Sequence, residues 1–121
     1  MKTIVLLNGC TEAKRKFEEI AKSNFNMVDI DFLCLKGLGH ETEFVNAEES
    51  IEMFKDLEAL EILVIKNYSR CLCKEIQEDY FAFEIKLVDK SEILFNDAFA
   101  LDYTSENFKE EACELIKKLA V

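Results

Sequence analysis

The apolar positions along the chain predict strands that alternate with amphipathic helices. The run TIVLLN at 3–8 is apolar almost throughout and has the length of a strand, a pattern typical of strands that parallel sheets bury on both faces. Further strands are predicted at 27–35, 61–66, 81–88 and 98–103. In the stretch 27–35, Asp29 and Asp31 alternate with apolar residues, which indicates a less buried strand near the edge of the sheet.

The segments between these strands carry apolar residues at the spacing of a helix face. Thr11 is the expected N-terminal cap of the first helix, with Ala13 and Phe17 on its buried face. A second helix is expected to begin at Asn46, after a loop at 36–43 that contains two of the chain's three glycines and His40. A short third helix is expected at 70–78.

The closing helix has the clearest amphipathic pattern. Thr104 or Ser105 is the expected cap. Glutamates lie in its first turns and lysines in its last turn, which matches the helix dipole. One face is apolar and is formed by Phe108, Ala112, Leu115, Ile116 and Leu119.

This order of elements predicts an α/β fold in one domain that spans residues 1–121. Right-handed crossovers would place the strands in a mainly parallel sheet of about five strands, with helices on both faces. The expected architecture is therefore a single-domain, three-layer sandwich of the Rossmann-like kind.

The charge of the chain bears on its partners. Twenty-five acidic and fifteen basic residues give a net charge of −10, so most of the surface would repel a nucleic-acid backbone. No apolar run approaches the roughly 20 residues that cross a bilayer. We therefore expect neither nucleic acid nor membrane as a partner. An acidic surface suits docking to a basic protein partner, and a homo-oligomer is the alternative.

The five cysteines are an odd number in a chain without a recognisable secretion signal, which indicates reduced thiols and a cytoplasmic location. Cys71 and Cys73 are separated by one residue, and the single histidine, His40, is distant in sequence. This spacing does not match a structural zinc site. No metal and no cofactor are predicted.

The first strand–helix turn is the main candidate for a ligand site, because open α/β sheets bind ligands at the carboxyl ends of their strands. A Walker loop has the pattern G-x-x-x-x-G-K-[ST], in which backbone N–H groups wrap the phosphates. Aligned at Gly9, this chain has GCTEAKRK: Lys14 takes the place of the second glycine, Arg15 that of the lysine, and Lys16 that of the hydroxyl residue.

With these residues in place, the chain resembles the small P-loop kinases that act on nucleoside monophosphates, especially the phage deoxynucleoside-monophosphate type. IVLLNGCTEAKRKF resembles their Walker strand, loop and helix, and FNDAFALDYTSENFKEEACELIKKL their terminal strand and helix. ILVIKNYSRCLCKEI is similar to a later strand that ends in an acidic residue, followed by an arginine and a glutamate; here these positions hold Asn67, Arg70 and Glu75. The resemblance implies a ligand site that includes Gly9, Arg15, Asn67 and Arg70.

The departures from the family pattern imply loss of catalysis. A side chain replaces the glycine that lets the backbone approach phosphate, and Asn67 replaces the acidic partner of magnesium. Nucleotide binding is therefore doubtful, and the expected function is that of a non-catalytic module that acts through protein interaction. An ordinary α/β domain without a nucleotide-binding history is the alternative. Arg15 is expected to face solvent, opposite the buried face of its helix.

Cys10 supports a different hypothesis, a phosphoryl-transfer or phosphate-binding enzyme. Low-molecular-weight phosphatases and the phosphocysteine subunits of sugar transport systems place a nucleophilic cysteine directly after the first strand, at a helix N-terminus that lowers the pKa of a thiol. The phosphatase loop is C-x-x-x-x-x-R, whereas here Arg15 falls one residue short and Lys16 takes its place. Glu12 within the loop would also repel phosphate. Catalysis by Cys10 is thus the alternative function, and a structural thiol the simpler interpretation.

Overall fold

The computed structural model describes residues 3–32, 40–89 and 99–120 of the 121-residue chain. They form five strands and four helices in an α/β order. The strands are β1 (Thr3–Asn8), β2 (Met27–Asp31), β3 (Ile62–Lys66), β4 (Phe83–Val88) and β5 (Ala100–Asp102), and the helices are α1 (Thr11–Asn24), α2 (His40–Lys55), α3 (Arg70–Tyr80) and α4 (Phe108–Leu119).

The strands form one sheet in the order β2-β3-β1-β4-β5, and every neighbouring pair is parallel. β1 lies at the centre, with Val5 opposite Val64 of β3 on one side and Phe83 of β4 on the other. The predicted α/β fold with a parallel sheet of five strands is confirmed, and so is the position of β2 at an edge.

Two apolar cores lie on opposite faces of this sheet. One joins β1, β3 and β4 to α1 and α4 and centres on Phe17 and Ile116, which are almost fully buried. The other joins β1 and β3 to α2 and α3 and centres on Ile51 and Ile76. The sheet with its two helical layers is the expected three-layer sandwich. No helix within the described ranges is long and apolar enough to cross a membrane.

The chain path explains which helix covers which face. The connection from β1 to β2 passes over β3 in one direction, whereas the connection from β3 to β4 passes over β1 in the other. Right-handed crossovers in opposite directions place their helices on opposite faces, so α1 and α3 diverge from the adjacent ends of β1 and β3. This divergence opens a crevice at the carboxyl end of the sheet.

Two helix starts differ from the prediction. The N-cap of α1 is Cys10 and not Thr11, since the thiol Sγ accepts a hydrogen bond from the backbone N–H of Ala13 at 3.4 Å. α2 begins at His40, so His40 is helical and Asn46 lies inside the helix. The chain lacks glycine and proline after Gly39 in this region, and its glutamates favour helix, which explains the earlier start.

The last helix begins later than predicted. The N-cap of α4 is Asn107, which makes no capping hydrogen bond through its side chain. The predicted caps belong to the turn before it: Thr104 donates its backbone N–H to Asp102 Oδ1 at 2.9 Å, and Ser105 Oγ accepts the N–H of Asn107 at 3.1 Å. β2 ends at Asp31; the remainder of the strand predicted at 27–35, from residue 33, lies outside the described residues, as does Cys34.

Candidate functional site

The crevice at the carboxyl ends of β1 and β3 contains a cavity of about 350 Å³. This is the place where open α/β sheets bind ligands, because the connections of two adjacent strands leave in opposite directions. The described residues that line it are mostly polar: Leu7, Asn8, Gly9, Lys14, Asn67, Tyr68, Arg70 and Glu84. We refer to it as the switch-point cavity.

A chain of hydrogen bonds crosses the floor of this crevice. Lys14 Nζ, on α1, donates to Asn67 Oδ1 at 2.8 Å, and Asn67 Nδ2 donates to Asp31 Oδ1 at 2.8 Å. The amide of Asn67 therefore links the first turn of α1 to the end of the edge strand β2. Sequence analysis identified Asn67 but not this partner on α1.

The backbone of Asn67 is in the left-handed region, with φ at 58°. Asparagine tolerates this conformation better than most residues because its short polar side chain can hydrogen-bond locally. The turn directs the chain out of β3 towards Ser69, whose Oγ accepts the N–H of Leu72 at 3.1 Å and caps α3.

Gly9 is required by packing. A Cβ at this position would lie 2.9 Å from the Cβ of Leu87 and 3.0 Å from its carbonyl oxygen, closer than atoms in proteins ordinarily approach. The turn from β1 into α1 thus runs tightly against β4. This close packing explains why residue 9 is glycine, and it does so without requiring that the turn bind phosphate.

On one side of the switch-point cavity, the carboxylate of Glu84 accepts hydrogen bonds from two donors. The hydroxyl of Tyr68 donates to Glu84 Oε2 at 2.7 Å, and the thiol of Cys73 donates to the same oxygen at 3.4 Å. Glu84 lies on β4 beside Leu6 of β1, on the face that α3 covers. Three elements therefore fix the position of this carboxylate.

The same cluster shifts the pKa of both donors. Burial, followed by the charge and hydrogen bond of Glu84, raises the pKa of the Cys73 thiol from 9.0 to about 12. Burial and then the hydrogen bond to Glu84 raise the pKa of Tyr68 far above its ordinary value of 10.0. Both groups are protonated at neutral pH and act as donors to Glu84.

Arg70 stands at the mouth of the cavity, as the first residue of α3. Its side chain is exposed, and within the described ranges it makes no hydrogen bond or ion pair. Its positive charge opposes the upward pKa shifts of Tyr68 and Cys73, which places the guanidinium near the Glu84 cluster.

A second cavity, of about 430 Å³, adjoins the first and shares Lys14 and Asn67 with it. Arg15 lines this second cavity and is exposed, as the sequence predicted. The predicted ligand residues are therefore divided: Gly9, Asn67 and Arg70 line the switch-point cavity, and Arg15 lies outside its described lining.

The floor of the second cavity is an ion-pair cluster. Lys66 Nζ lies 3.0 Å from a carboxylate oxygen of Glu18 and 3.2 Å from one of Asp29. Burial lowers the pKa of Lys66, but the hydrogen bonds to Glu18 and Asp29 outweigh it, and the pKa lies above its ordinary value. This lysine neutralises two acids, so it is not a free cation for a ligand.

Cys10 lies outside the described lining of both cavities. Its thiol is exposed, and its interaction with Tyr103 is the first cause of the raised pKa of that tyrosine; Glu12 and Asp89 contribute further. Lys16 Nζ donates to the carbonyl oxygen of Tyr103 at 3.0 Å and stands 5.9 Å from the centre of its ring. Lys16, which takes the place of the phosphatase arginine, therefore donates to the backbone just after β5.

Sequence reasoning did not find Glu84 and Lys14 as partners in one site. Glu84 is one of two charged residues in the strand pattern FAFEIKLV, together with Lys86, and this is the one signal in the sequence that could have identified it. Within the described ranges, no group of three or more metal-ligating side chains comes together.

Comparisons of the chain with protein-family models, with curated proteins and with solved structures find no match.

Proposed function

We propose that this chain is a non-catalytic α/β module, a degenerate relative of the P-loop nucleoside monophosphate kinases, that acts by binding a partner. The observation that carries this proposal is the bridge from Lys14 through Asn67 to Asp31. In the alignment with this class of kinase, Lys14 stands at the position of the second Walker glycine and Asn67 at that of the acidic partner of magnesium, and here these two side chains bond to each other.

The positions of the other loop residues support the same proposal. Gly9 is explained by its contact with Leu87, and Lys16, at the position of the metal-binding hydroxyl, donates to a backbone carbonyl. A working Walker loop needs backbone N–H groups free to wrap the phosphate. Here Cys10 accepts the N–H of Ala13, so one of those donors is already satisfied.

The surface favours another protein as the partner. The net charge of −10 opposes binding to nucleic acid and favours a basic protein surface. Large apolar side chains are exposed among these charges: Phe81 is 86% exposed and Met53 64% exposed. The odd number of cysteines fits a cytoplasmic location for such a complex.

Thermal unfolding tests the proposal. The melting temperature is measured alone, with magnesium, and with magnesium plus millimolar ATP, GTP or deoxynucleotides. We expect no difference between magnesium alone and magnesium with nucleotide, because a ligand raises the melting temperature only when it binds the folded state. A dose-dependent rise with any nucleotide would overturn the non-catalytic proposal.

A second candidate function, phosphoryl transfer through Cys10, is favoured by the exposed thiol at the N-cap of α1. The thiolate sulfur would attack the phosphorus of a phosphate monoester as the phosphorus–oxygen bond to the alcohol breaks, and the departing oxygen would take a proton from water. A second water would then hydrolyse the phosphocysteine to inorganic phosphate and the free thiol. This function requires iodoacetamide to alkylate Cys10 much faster than Cys71, which is also exposed, at about pH 6. Equal rates would rule it out.

A further inference from the structure

We propose that the switch-point cavity binds a small molecule that carries one anionic group and one amine or hydroxyl group. Arg70 and Lys14 would hold the anion, and Glu84 would accept a hydrogen bond from the amine or hydroxyl. This inference goes beyond the proposed function, because it rests on the cavity and not on kinase ancestry.

The proposed anion-binding end of the cavity is formed by Arg70 and Lys14, which both have N–H donors that could contact a ligand. Arg70 has no described ion pair, and its guanidinium carries five N–H donors suited to a carboxylate or phosphate. Lys14 gives one of its three ammonium donors to Asn67, and its other two donors meet no acceptor among the described residues. The capped N-terminus of α3 adds a favourable dipole on the side of Arg70.

The opposite end of the cavity is a fixed acceptor. Tyr68 and Cys73 both donate to Glu84 Oε2, whereas Oε1 receives no hydrogen bond from a described residue. Two donors on one oxygen hold the carboxylate in place and leave the other oxygen for a ligand. A site of this kind rejects a molecule without a donor group, because the acceptor would lose its water without a replacement.

Charge and size narrow the ligand class further. The volume of about 350 Å³ lies at the lower end of the range of roughly 300–1,000 Å³ for small-molecule sites. Glu84 lines the same space as the two cations, so a molecule with several anionic groups would meet a negative charge. A single phosphate or carboxylate joined by a short carbon chain to an amine or alcohol satisfies both ends.

The test uses matched probes and the whole chain, labelled with ¹⁵N for NMR titration. The phosphate series is O-phosphoethanolamine, ethyl phosphate, which lacks the amine, and ethanolamine, which lacks the anion. β-Alanine and propionate form the carboxylate series and distinguish the two kinds of anion. We expect the amine-bearing anion of one series to shift the amide signals of Gly9, Asn67 and Arg70, with a dissociation constant at least ~10-fold lower than that of its analogue without amine.

Two substitutions assign the ends of the site. Arg70→Gln should weaken binding of the amine-bearing anion by ~10-fold or more, whereas the matched control Lys74→Gln, on the exposed surface of α3, should leave it unchanged. Glu84→Gln retains an oxygen that Tyr68 and Cys73 can donate to, so the fold is kept. It should abolish the preference for the amine-bearing probe, and Glu78→Gln, also exposed on α3, should not.

The proposal is overturned if neither amine-bearing anion shifts these amide signals at millimolar concentration. It is equally overturned if ethyl phosphate and propionate bind as well as their amine-bearing analogues, since Glu84 would then have no part in recognition. These results are independent of the nucleotide experiment, so failure of this site and failure of the non-catalytic proposal are distinguishable.

Discussion

The side chains of Lys14 and Asn67 meet across the crevice between β1 and β3, with Lys14 Nζ 2.8 Å from Asn67 Oδ1. These residues are separated by 53 positions in the chain, and the contact joins the first crossover helix to the turn that leads into the third. Because Asn67 also adopts a left-handed backbone conformation, its side chain and its backbone make separable contributions to stability.

Substitutions of Asn67 separate these two contributions. Asn67→Gly removes the bridge to Lys14 and Asp31 but suits the left-handed backbone, so we expect a loss of about 0.5–1.5 kcal/mol in the free energy of unfolding. Asn67→Ala should cost about 1 kcal/mol more, because alanine is strained at positive φ. Arg15→Ala, which removes an exposed cation on the same helix as Lys14, is the control and should stay within ~0.5 kcal/mol of the original protein. Urea denaturation measures all three, and an alanine variant at least as stable as the glycine variant would contradict this assignment.

The contact between Gly9 and Leu87 predicts that Gly9→Ala is destabilising. The added methyl group would lie 2.9 Å from Leu87 Cβ and 3.0 Å from its backbone oxygen. Because a backbone atom cannot move aside as a flexible side chain does, α1 must shift away from β4, at about 1–3 kcal/mol. Chemical denaturation of this variant, with Arg15→Ala at an exposed position of α1 as the control, checks the expectation. A Gly9→Ala protein of unchanged stability would show that the turn is loosely packed.

Loss of the half-buried ion pairs of Lys66 should lower the free energy of unfolding more than loss of an exposed ion pair does. Lys66→Met leaves Glu18, with a side chain only 13% exposed, without its cationic partner. We expect a loss of about 1–3 kcal/mol in the free energy of unfolding. Lys55 pairs with Glu52 on the surface of α2, where both side chains are about half exposed, so Lys55→Met should cost less than ~0.5 kcal/mol. Equal effects of the two substitutions would refute this ranking.

The raised pKa of Cys73 predicts that the fold weakens in alkali. Between the ordinary thiol pKa of 9.0 and the folded value of about 12, the unfolded chain releases this proton while the folded protein keeps it. Stability from this group is therefore complete below pH 9 and declines as the pH rises towards 12. The slope contributed by one proton approaches ~1.4 kcal/mol per pH unit.

Comparison of variants isolates the contribution of Cys73 from that of Tyr68, whose pKa is also raised. Cys73→Ala should flatten the dependence of the unfolding free energy on pH between about pH 9 and about pH 11. Cys71→Ala, which removes an exposed thiol two positions away, should not. The measurement is urea denaturation at each pH, and the same slope in both variants would mean that Cys73 is not the group that titrates.

The strands could be predicted well from the sequence because a strand buried on both faces needs apolar residues at almost every position. β1 and β3 are continuous apolar runs, which only strands buried on both faces require, and the alternation of Asp29 and Asp31 marked β2 as an edge. Helix starts were harder to predict. Cys10 caps α1 through a weak sulfur acceptor, and cysteine is not one of the usual capping residues. Before α4, Thr104, Ser105 and Asn107 are all residue types that cap helices, so the sequence did not single out Asn107.

The candidate site could be predicted only in part, since its members come from distant segments. The rule for open α/β sheets directed attention to Gly9, Asn67 and Arg70, which line one cavity. It did not show that Lys14 reaches Asn67, or that Glu84 lies on the opposite wall. Those relationships depend on strand order, and strand order is set by packing across the whole sheet, for which a single sequence carries no local pattern.

The central position of β1 has a consequence for how the chain folds. Its partners begin at Ile62 and Phe83, so the strand that comes first in the chain pairs with none of the residues close to it in sequence. A nascent chain that has emerged only through α2 can form helices but cannot complete this sheet, and closing so long a loop slows the search for the native pairing. The chain contains no proline. A slow refolding phase would therefore report the late arrival of β3 beside β1 and not prolyl isomerisation.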